Sequence, residues 1–87
     1  MIERQVTITN ELGLHARPVS ILIKEATKFK SDVKIVMGDK EVNAKSIMGV
    51  LALGAVKGQQ LGLKVSGPDE ENAINSLVTL FEQNFGE

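Results

Sequence analysis

Apolar and polar side chains alternate at the start of the chain. Ile2, Val6 and Ile8 share one parity, with Glu3, Gln5, Thr7 and Thr9 between them, the period of a strand with one buried face. Arg4 interrupts the apolar face near its end. Beyond Asn10 to Gly13 the apolar positions become Val19, Leu22, Ile23, Ala26 and Phe29, a spacing that predicts an amphipathic helix over about 16 to 28. Val33, Ile35 and Met37 alternate again, and Gly38-Asp39 offers a turn into a short run through Val42, so a hairpin of two short strands is expected. Ser46 suits the N-cap of a brief helix carrying Ile47, Met48, Val50 and Leu51, with Gly54 or Gly58 to end it. Leu61, Leu63 and Val65 give a fourth strand. Gly67-Pro68-Asp69 then opens a helix whose stripe is Ile74, Leu77, Val78, Phe81 and Phe85, with Asp69, Glu70 and Glu71 near its positive end. The order is βαββαβα. One-sided patterns throughout predict an α+β open-faced sandwich, an antiparallel sheet covered on one face by the two longer helices.

Composition narrows the function more than the fold. A chain of 87 residues can bury one core, and no Gly/Ser-rich or Pro-rich stretch divides it, so residues 1–87 are expected to form a single domain. The absence of cysteine removes disulfides, a thiol nucleophile and cysteine-ligated metal, and a single histidine speaks against zinc. Neither cofactor nor metal is expected. Charges sit among the first apolar residues and no long apolar run follows, so neither signal peptide nor membrane insertion is expected, and the location should be cytoplasmic. Ten basic residues against eleven acidic ones, with no Tyr or Trp to stack on bases, argue against nucleic acid. Neither GxxxxGKS/T nor GxGxxG occurs, so no nucleotide cradle of either common kind is present. If the chain handles phosphate, another protein must bring it.

The chemistry-bearing stretch is Gly13-Leu14-His15-Ala16-Arg17-Pro18, which places the only histidine where the first helix begins. First-turn N–H groups lack intrahelical partners, and with the helix dipole they favour negative charge. A phosphoryl group on His15 could accept from the N–H groups of Ala16 and Arg17, and the Arg17 guanidinium could add a charge-assisted bond. Pro18 is tolerated because it lacks a donor the first turn would not have used. Gly13 lets the incoming chain bend. A neutral imidazole is a competent nucleophile for phosphorus. No catalytic base or metal site accompanies it, so most of the machinery for transfer would sit on partner proteins. Periodicity alone leaves open the simpler alternative, in which His15 only caps the helix and Arg17 is solvated.

GLHARP at 13–18, NAKSIMGVLALG at 43–54, the spacing between them and the element order together resemble the bacterial histidine-containing phosphocarrier family HPr of the sugar phosphotransferase system, over essentially the whole chain. The resemblance implies strand order 1-4-2-3 and a stoichiometric carrier, monomeric, that is not an enzyme in its own right. His15 would take phosphate from phospho-enzyme I, charged by phosphoenolpyruvate, and give it to IIA components of sugar permeases, with Arg17 assisting. By similarity to HPr proteins of low-GC Gram-positive bacteria, Ser46 would also be the target of an HPr kinase/phosphorylase, which would bring in a catabolite-control transcription factor. Ser46 as a plain N-cap needs no such regulation, and the two roles are compatible. In so short a helix Ile47, Met48 and Leu51 would ordinarily be core. The family implies instead an exposed partner patch beside His15. Arg17, Lys24 and Lys28 lie seven and four residues apart on one helix face, usually just a solvated stripe, but suited beside a phosphoryl site to steering an acidic partner.

Two positions depart from the pattern. Leu12 stands where many sugar-branch members have a small polar residue, and Val19 where Ala is common. The Leu-Gly-Leu-His-Ala-Arg run also resembles the nitrogen-branch carrier NPr, while Pro18 and the SIMGV segment lean towards the sugar branch. A purely regulatory binding protein of the same fold, acting on transcription factors, is the alternative of another class. Members of that kind lack the active histidine, which His15 supplies here.

Overall fold

In the computed structural model, which describes residues 1–86, the elements are β1 (Ile2–Thr7), α1 (Ala16–Ala26), β2 (Asp32–Met37), β3 (Lys40–Asn43), α2 (Ile47–Ala52), β4 (Gln60–Ser66) and α3 (Glu70–Glu82), followed by a 3-10 turn at Asn84–Gly86. The four strands form one antiparallel sheet in the order β1-β4-β2-β3. This is the α+β open-faced sandwich that the pattern and the resemblance predict.

Register sets which residues make the core. Val6 pairs with Leu61, Ile35 with Leu63 and Val33 with Val65, so all six project to one face and all are buried. Val19, Leu22 and Ala26 of α1 and Ala73, Ile74, Leu77 and Phe81 of α3 cover them. Helices of 11 and 13 residues are marginal alone in water. Burial of each large apolar side chain contributes about 1.5–3 kcal/mol, so packing on the sheet decides that they form. The opposite face carries Glu3, Gln5, Lys34, Glu41 and Lys64 and stays open to solvent, with Lys64 3.8 Å from Glu41.

Three boundaries differ from the periodic pattern. Strand β1 stops at Thr7, yet buried Ile8 still donates its N–H to the Gln59 carbonyl (2.9 Å) and accepts from the Gly58 N–H (2.8 Å). Helix α1 ends at Ala26 with Thr27 as its C-cap, so Lys28 lies in the following turn and its ammonium is held by Glu25 at 3.0 Å. Helix α3 ends at Glu82, and Phe85 does not continue its stripe. Asn84 and Phe85 instead adopt left-handed backbone (φ 52° and 54°), and Phe85 is buried edge-on against Phe81, ring centroids 4.8 Å apart. The reversal brings the Asn84 carbonyl to the Asn10 amide Nδ2 (3.0 Å) and its side-chain oxygen to the Thr9 hydroxyl. These bonds offset the strain of two non-glycine residues in that region.

A second tie joins the far end of α1 to the start of α3. Asp69 occupies the N-cap position of α3 but makes no capping bond with its side chain. Its carboxylate accepts from the Lys30 N–H (2.9 Å), the Ser31 N–H (3.0 Å) and the buried Ser31 hydroxyl. Gly67 lies against Ser31 so closely that a Cβ there would be 2.6 Å from the Ser31 Cα. The Ser31 hydroxyl bond, then the Lys30 N–H bond, hold the Asp69 carboxyl below the usual carboxylate range. A carboxylate depressed in the folded state adds stability above its unfolded pKa, and that stability is lost as pH falls through the lower folded value. We therefore expect Asp69→Asn to lower stability at neutral pH and to flatten the loss of stability below about pH 4, measured by urea unfolding across pH; parallel wild-type and variant curves would refute the tie.

Candidate functional site

His15 is the N-cap of α1, with extended backbone (φ −92°, ψ −175°) and no side-chain capping bond. Its carbonyl accepts the first helical bond, from the Val19 N–H at 3.1 Å. The donors of the first turn can be counted. The His15 N–H bonds to the Gly13 carbonyl at 3.1 Å, and Pro18 has no N–H. Only the N–H groups of Ala16 and Arg17 remain without an intrahelical acceptor, which is inherent to those positions. Arg17 is exposed and no ion pair holds it among the described residues. An imidazole at the helix N-terminus, two N–H donors and a guanidinium in the adjoining turn form an arrangement that suits a dianionic group carried on the ring.

What fixes His15 there is backbone. Gly13 has φ +67°, and a Cβ at this position would sit 2.4 Å from the Ala55 carbonyl oxygen and 2.8 Å from the Val56 Cα. One residue on, the Leu14 N–H donates to the same Ala55 carbonyl at 3.0 Å, and the Leu14 side chain is buried. The segment leading into α1 is thus clamped against the segment leading out of α2.

Helix α2 is six residues long, too short to persist without anchors. It has two. Ser46 is its N-cap and the hydroxyl accepts from the Gly49 N–H at 3.2 Å, a cap worth about 1 kcal/mol. Val50 is fully buried. With Val50 turned inward, Ile47, Met48 and Leu51 are left 49%, 78% and 37% exposed, so these three lie at the surface rather than in the core. Lys45, just ahead, reaches across to the Phe29 carbonyl at 2.8 Å and ties the start of α2 to the segment after α1.

The cationic stripe is shorter than the periodicity implies. Arg17 and Lys24 are exposed on α1, opposite Val19, Leu22 and Ala26, whereas Lys28 lies past the helix end in its pair with Glu25. Outside α2 the exposed apolar residues include Met1, at 72%, Leu12, at 76%, and Val56, at 56%, none of which the periodic pattern marks as surface. Position 56 could have been flagged, since Gly54 and Gly58 bracket it in a short loop that has little core to offer. Among the described residues no cluster of His, Asp or Glu could hold a metal ion, and no helix is long and apolar enough to cross a membrane.

The comparisons with known proteins cover the whole of this architecture. The family model PTS-HPr, described as the PTS HPr component phosphorylation site, matches residues 2–83. A phosphocarrier protein HPr from Xylella fastidiosa is 44% identical over 87 residues, all of this chain and 98% of the relative. The crystal structure of HPr from Thermoanaerobacter tengcongensis is similar with TM-score 0.97 and 46% identity, covering 100% of this chain and 98% of that one. Crh, the catabolite repression protein of Bacillus subtilis, is a swapped dimer in its crystal and is similar with TM-score 0.78 and 36% identity, each chain covered to 97%.

The clamp at Gly13 yields a direct expectation. Gly13→Ala forces a Cβ into the Ala55 carbonyl from a left-handed backbone and should cost roughly 2 kcal/mol or more, read by denaturant unfolding. Hydrogen exchange of the Leu14 amide should accelerate beyond what the global loss explains. Unchanged stability would mean that the close approach does not hold the loop.

Proposed function

The chain belongs to the HPr family, the phosphocarriers of the phosphotransferase system, and on that premise we propose that His15 accepts a phosphoryl group from phospho-enzyme I and passes it to IIA components of sugar permeases. The reading is carried by one coincidence: the single histidine of a chain matched to the family across residues 2–83 is the N-cap of α1. A ring nitrogen lone pair of His15 attacks the phosphorus held on the donor. The new P–N bond forms as the donor's P–N bond breaks, and the donor imidazole leaves with its electron pair. Little covalent machinery is needed, because phosphoryl transfer is governed by positioning and by stabilisation of charge. The N–H groups of Ala16 and Arg17 and the Arg17 guanidinium meet that charge in this reading. The labile P–N bond keeps its transfer potential, so the step reverses towards the acceptor. One chain is the working unit.

Ile47, Met48 and Leu51 form the apolar patch on which partners dock, and Met48 suits a surface that meets several of them. Arg17 and Lys24, with Lys28 partly neutralised by Glu25, favour an acidic partner and raise association rate more than affinity. Ser46 is proposed as a regulatory phosphorylation site for an HPr kinase/phosphorylase. Phosphate there adds roughly two negative charges at a helix N-terminus, where the dipole accommodates them, so it acts by repelling an acidic donor and leaves the fold intact. The presence of His15 disfavours a solely regulatory role like that suggested by the name of Crh.

Incubation with enzyme I and phosphoenolpyruvate should place one acid-labile, alkali-stable phosphate on the wild-type protein and none on His15→Ala. No label on the wild type would reject the carrier reading, and label from the nitrogen-branch enzyme I alone would reassign the branch. In the same assay Ser46→Asp should accept phosphate at least tenfold more slowly while keeping its unfolding midpoint, a drop of about 1.4 kcal/mol or more in transition-state stabilisation. Equal rates would remove the repulsion mechanism.

A further inference from the structure

The peptide unit that joins Ala55 to Val56 is gripped from both sides. Its carbonyl oxygen accepts the Leu14 N–H at 3.0 Å and lies against Gly13. Its N–H, which points the opposite way in a planar trans unit, donates to the side-chain oxygen of half-buried Gln59 at 2.7 Å. Gln59 is itself fixed through its backbone. Its N–H donates to the Val56 carbonyl at 3.1 Å, and its carbonyl accepts from the Ile8 N–H at 2.9 Å. Both polar backbone groups of Val56 therefore end on Gln59. The bonds run as one circuit, from Ile8 through Gln59 and the 55–56 peptide to Leu14, and close the loop of residues 8 to 14 across the segment leaving α2. A single link in that circuit is made by a side chain. The circuit ends one residue short of His15.

The Leu14 bond alone leaves the 55–56 peptide able to tilt about the line between its two Cα atoms. Tilting swings carbonyl and N–H together, because the unit is planar. An acceptor locked on the N–H side therefore sets the direction of the carbonyl on the other. The coupling is electronic as well, since bonds in a chain polarise and strengthen one another. We infer that Gln59 is a positioning residue for phosphoryl transfer, acting through the Ala55–Val56 peptide to hold Leu14, and so His15, at the entrance of α1. The inference rests on His15 being the phosphoryl acceptor. Transfer is sensitive to small displacements, and a misplacement of about 1 Å can cost on the order of 100-fold in rate. The Lys57–Glu11 pair (2.6 Å) joins the same two loops, but through exposed, long side chains whose pairing contributes little and leaves the tilt of the peptide undetermined.

The test is steady-state phosphorylation of the full chain by enzyme I and phosphoenolpyruvate, at high salt so that any charge added at position 59 is screened. Gln59→Met keeps the length of the side chain and removes its strong acceptor, and Gln59→Ala removes the side chain without adding bulk. Both should lower kcat about tenfold with KM unchanged, as loss of an interaction made only in the transition state does. Gln59→Glu keeps an acceptor oxygen in the same place and should stay within about twofold of wild type, as should Lys57→Ala. In 15N spectra, phosphorylation should move the Ala16 and Arg17 amides less in Gln59→Met and Gln59→Ala than in wild type. A role in stability alone would lower the unfolding midpoint and leave kcat and those shifts as in wild type, which would overturn the inference. An equal fall of kcat in Gln59→Glu, or a rise in KM alone, would overturn it too. Failure to label the wild type would overturn the acceptor reading itself; a labelled wild type with unaltered kcat in Gln59→Met and Gln59→Ala would overturn only this inference.

Discussion

The contact between Gly13 and Ala55 decides where His15 can be. It is made by backbone alone, at a separation no side chain at position 13 would permit, and Leu14 repeats it with a hydrogen bond to the same carbonyl. Two consecutive residues are thereby fixed just ahead of the helix, and the next residue must become its N-cap. Were the loop free, the ring could swing away from the Ala16 and Arg17 donors, and the favourable field of the helix end falls off within its first turn. The same contact relates α1 to α2, so the ring and the exposed residues of α2 belong to one rigid surface.

Opposite ends of α1 are secured by different means. At the His15 end the tie is backbone to backbone. At the other end, about 16 Å along an 11-residue helix, the Asp69 carboxylate gathers Lys30 and Ser31, while Lys45 reaches the Phe29 carbonyl. A depressed carboxylate stands near each end, Asp69 at one and Glu11, paired with Lys57 at 2.6 Å, beside the other, but the Gly13–Ala55 contact itself is backbone and does not titrate. The sheet contributes rigidity and little else to the chemistry, because its helix-free face carries mixed charges far from any patterned apolar surface.

Much of this was legible in the sequence because the signals are local. The alternation of Leu61, Leu63 and Val65 and the stripe from Ile74 to Phe81 name their own elements, and Ser46 declares a helix start by chemistry that needs no tertiary context. His15 was legible as a residue at a helix start, and the GLHARP run supplied the family. The ends of elements were less so. Lys28 shares the helical spacing of Lys24 but lies beyond the C-cap, and Phe85 keeps the spacing of Phe81 while the backbone reverses, because Asn84 is drawn to Thr9 and Asn10 some 74 residues away in sequence. Periodicity cannot register such a bond. Nor could it tell that Val50 takes the only buried position on α2 and so exposes Ile47, Met48 and Leu51, or that Glu11 finds Lys57.

The most direct measurement is the amide spectrum of the 15N-labelled protein before and after phosphorylation by enzyme I and phosphoenolpyruvate. A phosphoryl group seated on the first turn of α1 should move the amides of Ala16 and Arg17 furthest, with His15 ring signals shifting in step and the amides of β2, β4 and α3 nearly still. Shifts centred elsewhere, or His15 ring signals that change while Ala16 and Arg17 stay in place, would contradict the helix end as the seat of the phosphate.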